Sequence, residues 1–119
     1  MNPRFLLSLA LALFIGACGA LHEPTIRVHN EATEVLTDVR LTGTSFQTTI
    51  ASVLPGQTHE VRVSARGETG VAVSFVANGN RLNVPEQGYF ENSGWYIVDV
   101  TISKEHQVTV HTTTRRVPW

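Results

Sequence analysis

At 119 residues the chain is long enough for one domain and no more, and its single cysteine excludes a disulfide within the chain. Nine Lys/Arg against ten Asp/Glu give a formal net charge of −1. That near balance argues against a nucleic-acid partner, which asks for a basic face.

The chain opens with one positive charge in residues 1–4, followed by an almost purely apolar run from Phe5 to Ile15, broken only by Ser8, and then by the small residues Gly16, Ala17, Cys18 and Gly19. A basic start, a short apolar stretch and a small-residue exit form the layout of a secretory signal peptide. A membrane-spanning helix needs about 20 apolar residues to cross the hydrocarbon core, and this run falls short. An amphipathic helix does not fit either, because Phe5 to Ile15 has no polar face.

Ile15-Gly16-Ala17-Cys18 resembles the lipobox of bacterial lipoproteins, in which an aliphatic residue and two small residues precede an invariant cysteine. The resemblance implies cleavage between Ala17 and Cys18, diacylglycerol on the Cys18 sulfur and an acyl chain on its new amino group. Ile15 replaces the usual leucine. Gly19 stands where an aspartate would favour inner-membrane retention, so the resemblance points to the outer membrane, facing the periplasm, in a Gram-negative host. The physics is consistent, since two or more acyl chains hold a protein firmly where one does not. Acylation also removes a free thiol that would be a liability in an oxidising compartment.

Taking residues 1–17 as the leader leaves about a hundred residues, in which eight Lys/Arg face ten Asp/Glu. Residues 18–24 form the acylated cysteine and a six-residue tether that reaches only about 20 Å when extended. Residues 25–113 make the domain, and 114–119 a frayed tail.

Within the domain, apolar residues recur with period two in short bursts, the signal of half-buried strands. Ile26 and Val28 form the first inward row. Val35, Thr37, Val39 and Leu41 form the second, and Phe46, Thr48 and Ile50 the third. Leu54-Pro55-Gly56-Gln57 suits a type II turn, with proline presetting φ and glycine accepting a positive value. Val61, Val63 and Ala65 follow, then Val71, Val73 and Phe75. Asn78-Gly79 is a strong hairpin signal, after which Leu82 and Val84 return. Pro85 to Gly88 is expected to break that strand, because proline cannot donate to a ladder. Tyr89 to Glu91 would then be a short strand. Trp95 to Ser103 is expected to be the longest, with Tyr96, Val98, Val100 and Ile102 inward, and Val108 and Val110 pair back on it.

About seven to nine short strands with turns every 8–12 residues predict an all-β fold, an immunoglobulin-like antiparallel β-sandwich after the cleaved signal helix, with a small barrel as the alternative. The mature region is similar to small bacterial lipoproteins that carry an immunoglobulin-like domain. The resembling pieces are Val28-His29-Asn30, Leu54-Pro55-Gly56 and Gly88-Tyr89-Phe90. They imply the fold and carry no activity.

Chemistry is sparse. No Gly-x-Ser-x-Gly elbow occurs, and Ser93 sits in a turn where serine is expected. The five histidines form no tight metal motif, although His29 and His111 fall on the first and last strands, which could be neighbours. Glu86 and Glu91 flank Tyr89 as rim charges. No cofactor is implied. The strongest lead is aromatic: Tyr89, Phe90, Trp95 and Ile97 form a candidate binding surface, with Trp95 and Ile97 on the face opposite Tyr96, beside Asp99. The expectation is a non-enzymatic, lipid-anchored envelope lipoprotein that binds a protein partner or serves a structural role. The alternative is a carbohydrate- or peptidoglycan-binding module.

Overall fold

A computed structural model describes residues 23–92 and 94–114, and these form eight strands. They are β1 (Thr25–Asn30), β2 (Leu36–Thr42), β3 (Gln47–Val53), β4 (Thr58–Arg62), β5 (Thr69–Ala77), β6 (Asn80–Phe90), β7 (Tyr96–Ile102) and β8 (Val108–Thr114). Period-two alternation is what allows each to bury one side. β1 alternates residue by residue, with Ile26 and Val28 fully buried and Thr25, Arg27 and His29 turned outward.

The strands build a β-sandwich of two four-stranded sheets, ordered β4-β1-β7-β8 and β3-β2-β5-β6. The hairpins β2–β3, β5–β6 and β7–β8 stay within a sheet, while the other connections cross between sheets. The pairing departs from the antiparallel expectation at one place, where β1 runs parallel to β7, Thr25 beside Ile97 through Asn30 beside Ile102. Parallel neighbours need a long crossover, and here the whole of β2 to β6 supplies it. The core lies between Ile26, Val28 and Val100 on one sheet and Leu41, Val73 and Phe75 on the other.

Turn chemistry forms two connections where expected, although the Leu54–Gln57 turn carries the chain from β3 across to β4 in the other sheet and closes no hairpin. Gly56 has φ of 79°, and the Gln57 amide donates to the Leu54 carbonyl at 2.9 Å. Asn78 sits at φ of 51° ahead of Gly79, closing β5 onto β6 with Ala77 opposite Asn80.

Three strand expectations are corrected. Parity in β2 switches at Asp38, whose φ is 47°, and the β2–β5 register shifts between Thr37 and Arg40. A β-bulge adds one residue and flips every side chain on one side of it, so Leu36 is buried while Val35 is 41 % exposed and Thr37 faces out. Pro85 does not break its strand either. β6 is the edge of its sheet, where a missing N–H costs no ladder bond, and it runs eleven residues to become the longest strand, while β7 has seven. Finally, Thr114 belongs to β8, paired with Tyr96.

Because each connection reverses the chain, the loops divide cleanly between two ends of the sandwich. Residues 31–35, 54–57, 78–79 and 103–107 lie at one end. Residues 43–46, 63–68 and 91–95 lie at the other, where the chain enters β1 and leaves β8. This second end, the tether end, is tied by hydrogen bonds from the Arg66 amide to Ser45 Oγ (2.6 Å), from the Ala65 amide to Asn92 Oδ1 (3.2 Å) and from the Val63 amide to the Pro24 carbonyl (3.1 Å).

Candidate binding surfaces

The outer face of the β4-β1-β7-β8 sheet carries the densest polar network. Outward parity on four paired strands aligns Glu60, Arg27, Asp99 and His111 in one row, each on a different strand. Arg27 donates to both oxygens of Asp99, from Nε at 2.8 Å and from Nη2 at 2.9 Å. His29 reaches the same carboxylate through Nε2 at 2.6 Å, and its Nδ1 meets Thr58 Oγ1 at 2.8 Å. The Arg27 guanidinium holds the Asp99 carboxyl below the ordinary aspartate value, with His29 adding to the effect and desolvation opposing it. An ionised carboxylate only accepts hydrogen bonds. His29 Nε2 therefore carries a proton, and in the neutral ring Nδ1 accepts from the Thr58 hydroxyl.

A hydroxyl, an imidazole and a carboxylate in sequence are the parts of an activated nucleophile. In this protein both carboxylate oxygens are clamped by Arg27, and the three side chains stand on three adjacent strands of an open sheet. That arrangement staples β4, β1 and β7 together. Among the described residues, no group of three or more His, Cys, Asp or Glu could hold a metal ion.

Next to the staple is a shallow depression of about 310 Å³, lined by Thr25, Arg27, Glu60, Val61, Arg62 and Ile97. Ile97 is thus where the sequence put it, on the face opposite Tyr96 and beside Asp99. His29 and His111 flank Asp99 from either side, because β7 separates β1 from β8.

The aromatic residues divide. Phe90 is removed from the candidate surface: it is fully buried and packs against Phe46 with ring centroids 5.8 Å apart. The cause lies two residues earlier. Gly88, at φ of 78°, and the register shifts of β6 against β5 turn Phe90 inward. Tyr89 is 46 % exposed and meets Tyr96 edge-on at 6.3 Å. Desolvation, followed by the charges of Glu68 and Glu91, pushes the Tyr89 hydroxyl above the usual phenol value. Trp95 is half-buried in the turn that leads into β7, with φ of 52°. Tyr89, Trp95 and Tyr96 therefore gather at the tether end, while Ile97 belongs to the adjoining sheet face. The lipidation and cleavage positions, Cys18 and Ala17, lie outside the described residues, as do Ser93 and the tail from residue 115.

The opposite end is organised by Asn30, which sequence reasoning registered only as part of a motif. Its side chain donates to the Glu34 carbonyl (3.0 Å) and the Val53 carbonyl (2.9 Å) and accepts from the Ala32 amide (2.9 Å). Its backbone receives the Gly56 amide and donates to the Gln57 carbonyl. Val28-His29-Asn30 and Leu54-Pro55-Gly56, 26 residues apart in sequence, are thereby one structural unit. His106 hydrogen-bonds Glu34 across the same end and, with Thr33, holds that carboxyl below the ordinary glutamate value.

No family model matches the sequence, and no curated protein matches it. Among solved structures the chain is similar to an NMR structure of a protein from Eubacterium rectale, with a TM-score of 0.56 and 13 % sequence identity over 82 % of this chain and 94 % of that one. At that identity the likeness shows the fold alone.

Proposed function

We propose that the protein is a lipid-anchored, non-enzymatic binding or structural module of the cell envelope, tethered by acyl chains on Cys18 to the periplasmic face of the outer membrane. One observation carries this reading: the only cysteine closes an apolar leader in a lipobox-like setting, six residues before Pro24 delivers the chain into β1. The sandwich agrees with it. Its polar side chains are spent on stapling strands, as in the Arg27–Asp99–His29 cluster, and its loops on closing the two ends. Among the described residues no helix is long and apolar enough to cross a membrane.

Cys18→Ser is the direct test. The wild-type product in the membrane fraction should show by mass spectrometry a processed chain starting at an acylated Cys18. The variant should keep its leader or appear unacylated in the soluble fraction. An unmodified Cys18 thiol on a processed wild-type chain overturns the reading.

The depression beside Ile97 favours a second reading, a carbohydrate- or peptidoglycan-binding module. Arg27, Glu60, Arg62 and Thr25 supply donors and acceptors beside Val61 and Ile97, the mixture that sugar hydroxyls and ring faces use. Ile97→Ser, inside the depression, separates the two readings. Loss of a co-purifying envelope protein with unchanged glycan retention supports protein association, and loss of glycan retention supports the second reading.

A further inference from the structure

We infer that the tether end of the sandwich docks on the lipid headgroup surface, so that the domain stands in one orientation on the membrane. The inference rests on the anchored reading and goes beyond it, because an acyl anchor by itself leaves a domain free to tumble at the end of its tether.

β1 begins at Thr25 and β8 ends at Thr114, and the register puts Thr25 beside Ile97 and Thr114 beside Tyr96, at the same end of the sheet. The chain therefore enters β1 and leaves β8 at one end. From Cys18 to that end is a tether of about 20 Å at full stretch, so this end is held close to the bilayer and the other is carried away from it. The segment that follows Thr114 reads Arg115-Arg116-Val117-Pro118-Trp119, two cations and a tryptophan in five positions.

The side chains at this end are those that interfacial lipid accepts. Tryptophan and tyrosine prefer the headgroup level, where an apolar ring and a polar tip are both satisfied, and Tyr89, Trp95 and Tyr96 converge here with Tyr89 well exposed. Arg62 and Arg66 are exposed on the β4 side of the same end, and arginine forks suit phosphate oxygens. Glu23, Glu68, Glu86 and Glu91 share this end, so net charge does not distinguish it and the aromatic rings do. The phosphate and the interfacial boundary, common to zwitterionic and anionic phospholipids, are the features recognised.

The test uses the acylated, processed protein in vesicles of phosphatidylethanolamine and phosphatidylglycerol at three to one, with Trp119→Phe leaving Trp95 as the sole tryptophan. Brominated acyl chains quench only a tryptophan at the membrane boundary. Trp95 emission should fall at least twofold on brominated vesicles, and Arg62→Glu with Arg66→Glu should remove most of that quenching while flotation with the vesicles is unchanged. Protein that floats with the vesicles while Trp95 emission is unaffected overturns the docked orientation and leaves the anchor standing. If that Trp95 responds instead to added peptidoglycan fragments, the aromatic end serves the carbohydrate reading. Protein that does not float overturns both the anchor and the docking.

Discussion

Asn30 shows what a single polar residue can do in an apolar setting. It is 1 % exposed, yet every donor and acceptor it owns is matched, so its burial ties the β1–β2 loop to the β3–β4 turn. Replacing one partner strands the others, and a buried unsatisfied group costs about 1–3 kcal/mol. Asn30→Ala should therefore lower stability by roughly 3 kcal/mol in urea unfolding, whereas Asn92→Ala, which loses one part-buried bond to Ala65, should cost about 1 kcal/mol. Asp99 makes a different prediction. Its carboxyl is held below the ordinary value by Arg27 first and His29 second, so folding favours the ionised form. A depressed carboxyl contributes stability above its unfolded pKa of about 4, and that contribution drains away as pH falls through the lower native value. Glu34, lowered chiefly by His106, acts in the same direction. The urea midpoint should hold from neutral pH to about pH 5 and drop below about pH 4. Asp99→Asn should lower the midpoint at neutral pH and flatten the acid fall. A midpoint that rises on acidification would remove Asp99 as a folded-state anion.

At the scale of elements, the strands owe their ends to turns and their faces to bulges. Gly56 and Gly88 separate two costs that glycine avoids. Both have a positive φ, but a Cβ at Gly56 meets nothing within 4 Å, while at Gly88 it would lie 2.8 Å from Val110 Cγ1. Left-handed backbone alone costs a non-glycine residue about 1–2 kcal/mol. Gly56→Ala should pay that sum alone, and Gly88→Ala should pay it together with the displacement of Val110, where β6 passes over β8. Thermal unfolding of the two variants ranks them, and equal losses would mean that the β6–β8 seam opens freely. The register shifts of β6 against β5 explain an error of sequence reading. The candidate surface took Tyr89 and Phe90 together, but those shifts and the positive φ of Gly88 turn Phe90 into the core and leave Tyr89 exposed.

For the whole molecule, two four-stranded sheets close over one core in which Phe75 reaches from β5 toward the far end and meets the His106 ring edge-on at 6.1 Å. Phe75→Ala empties the centre of that packing and should cost about 3–5 kcal/mol, the range for a large aromatic lost from a core. Isothermal denaturation with an unchanged m-value would confirm that the loss is one of stability and not of compactness. At this scale the chain also acquires its polarity: the start of β1, the end of β8, Trp95, Tyr89 and two arginines at one end, and the Asn30 and His106 clusters at the other.

The Pro55-Gly56 and Asn78-Gly79 turns and most inward rows were legible in the sequence, because each depends on residues within a few positions of one another. Period two needs no partner to be visible, and a turn carries its own φ requirements. What only the tertiary structure decided depends on strands far apart in the chain. The parallel β1–β7 pair, the row Glu60–Arg27–Asp99–His111, the parity switch at Asp38 and the burial of Phe90 all follow from which strands lie side by side. Arg27 and Asp99 stand 72 residues apart, and no local pattern marks one for the other; pairing is settled by the shared core, where each sheet must cover the apolar face of its neighbour.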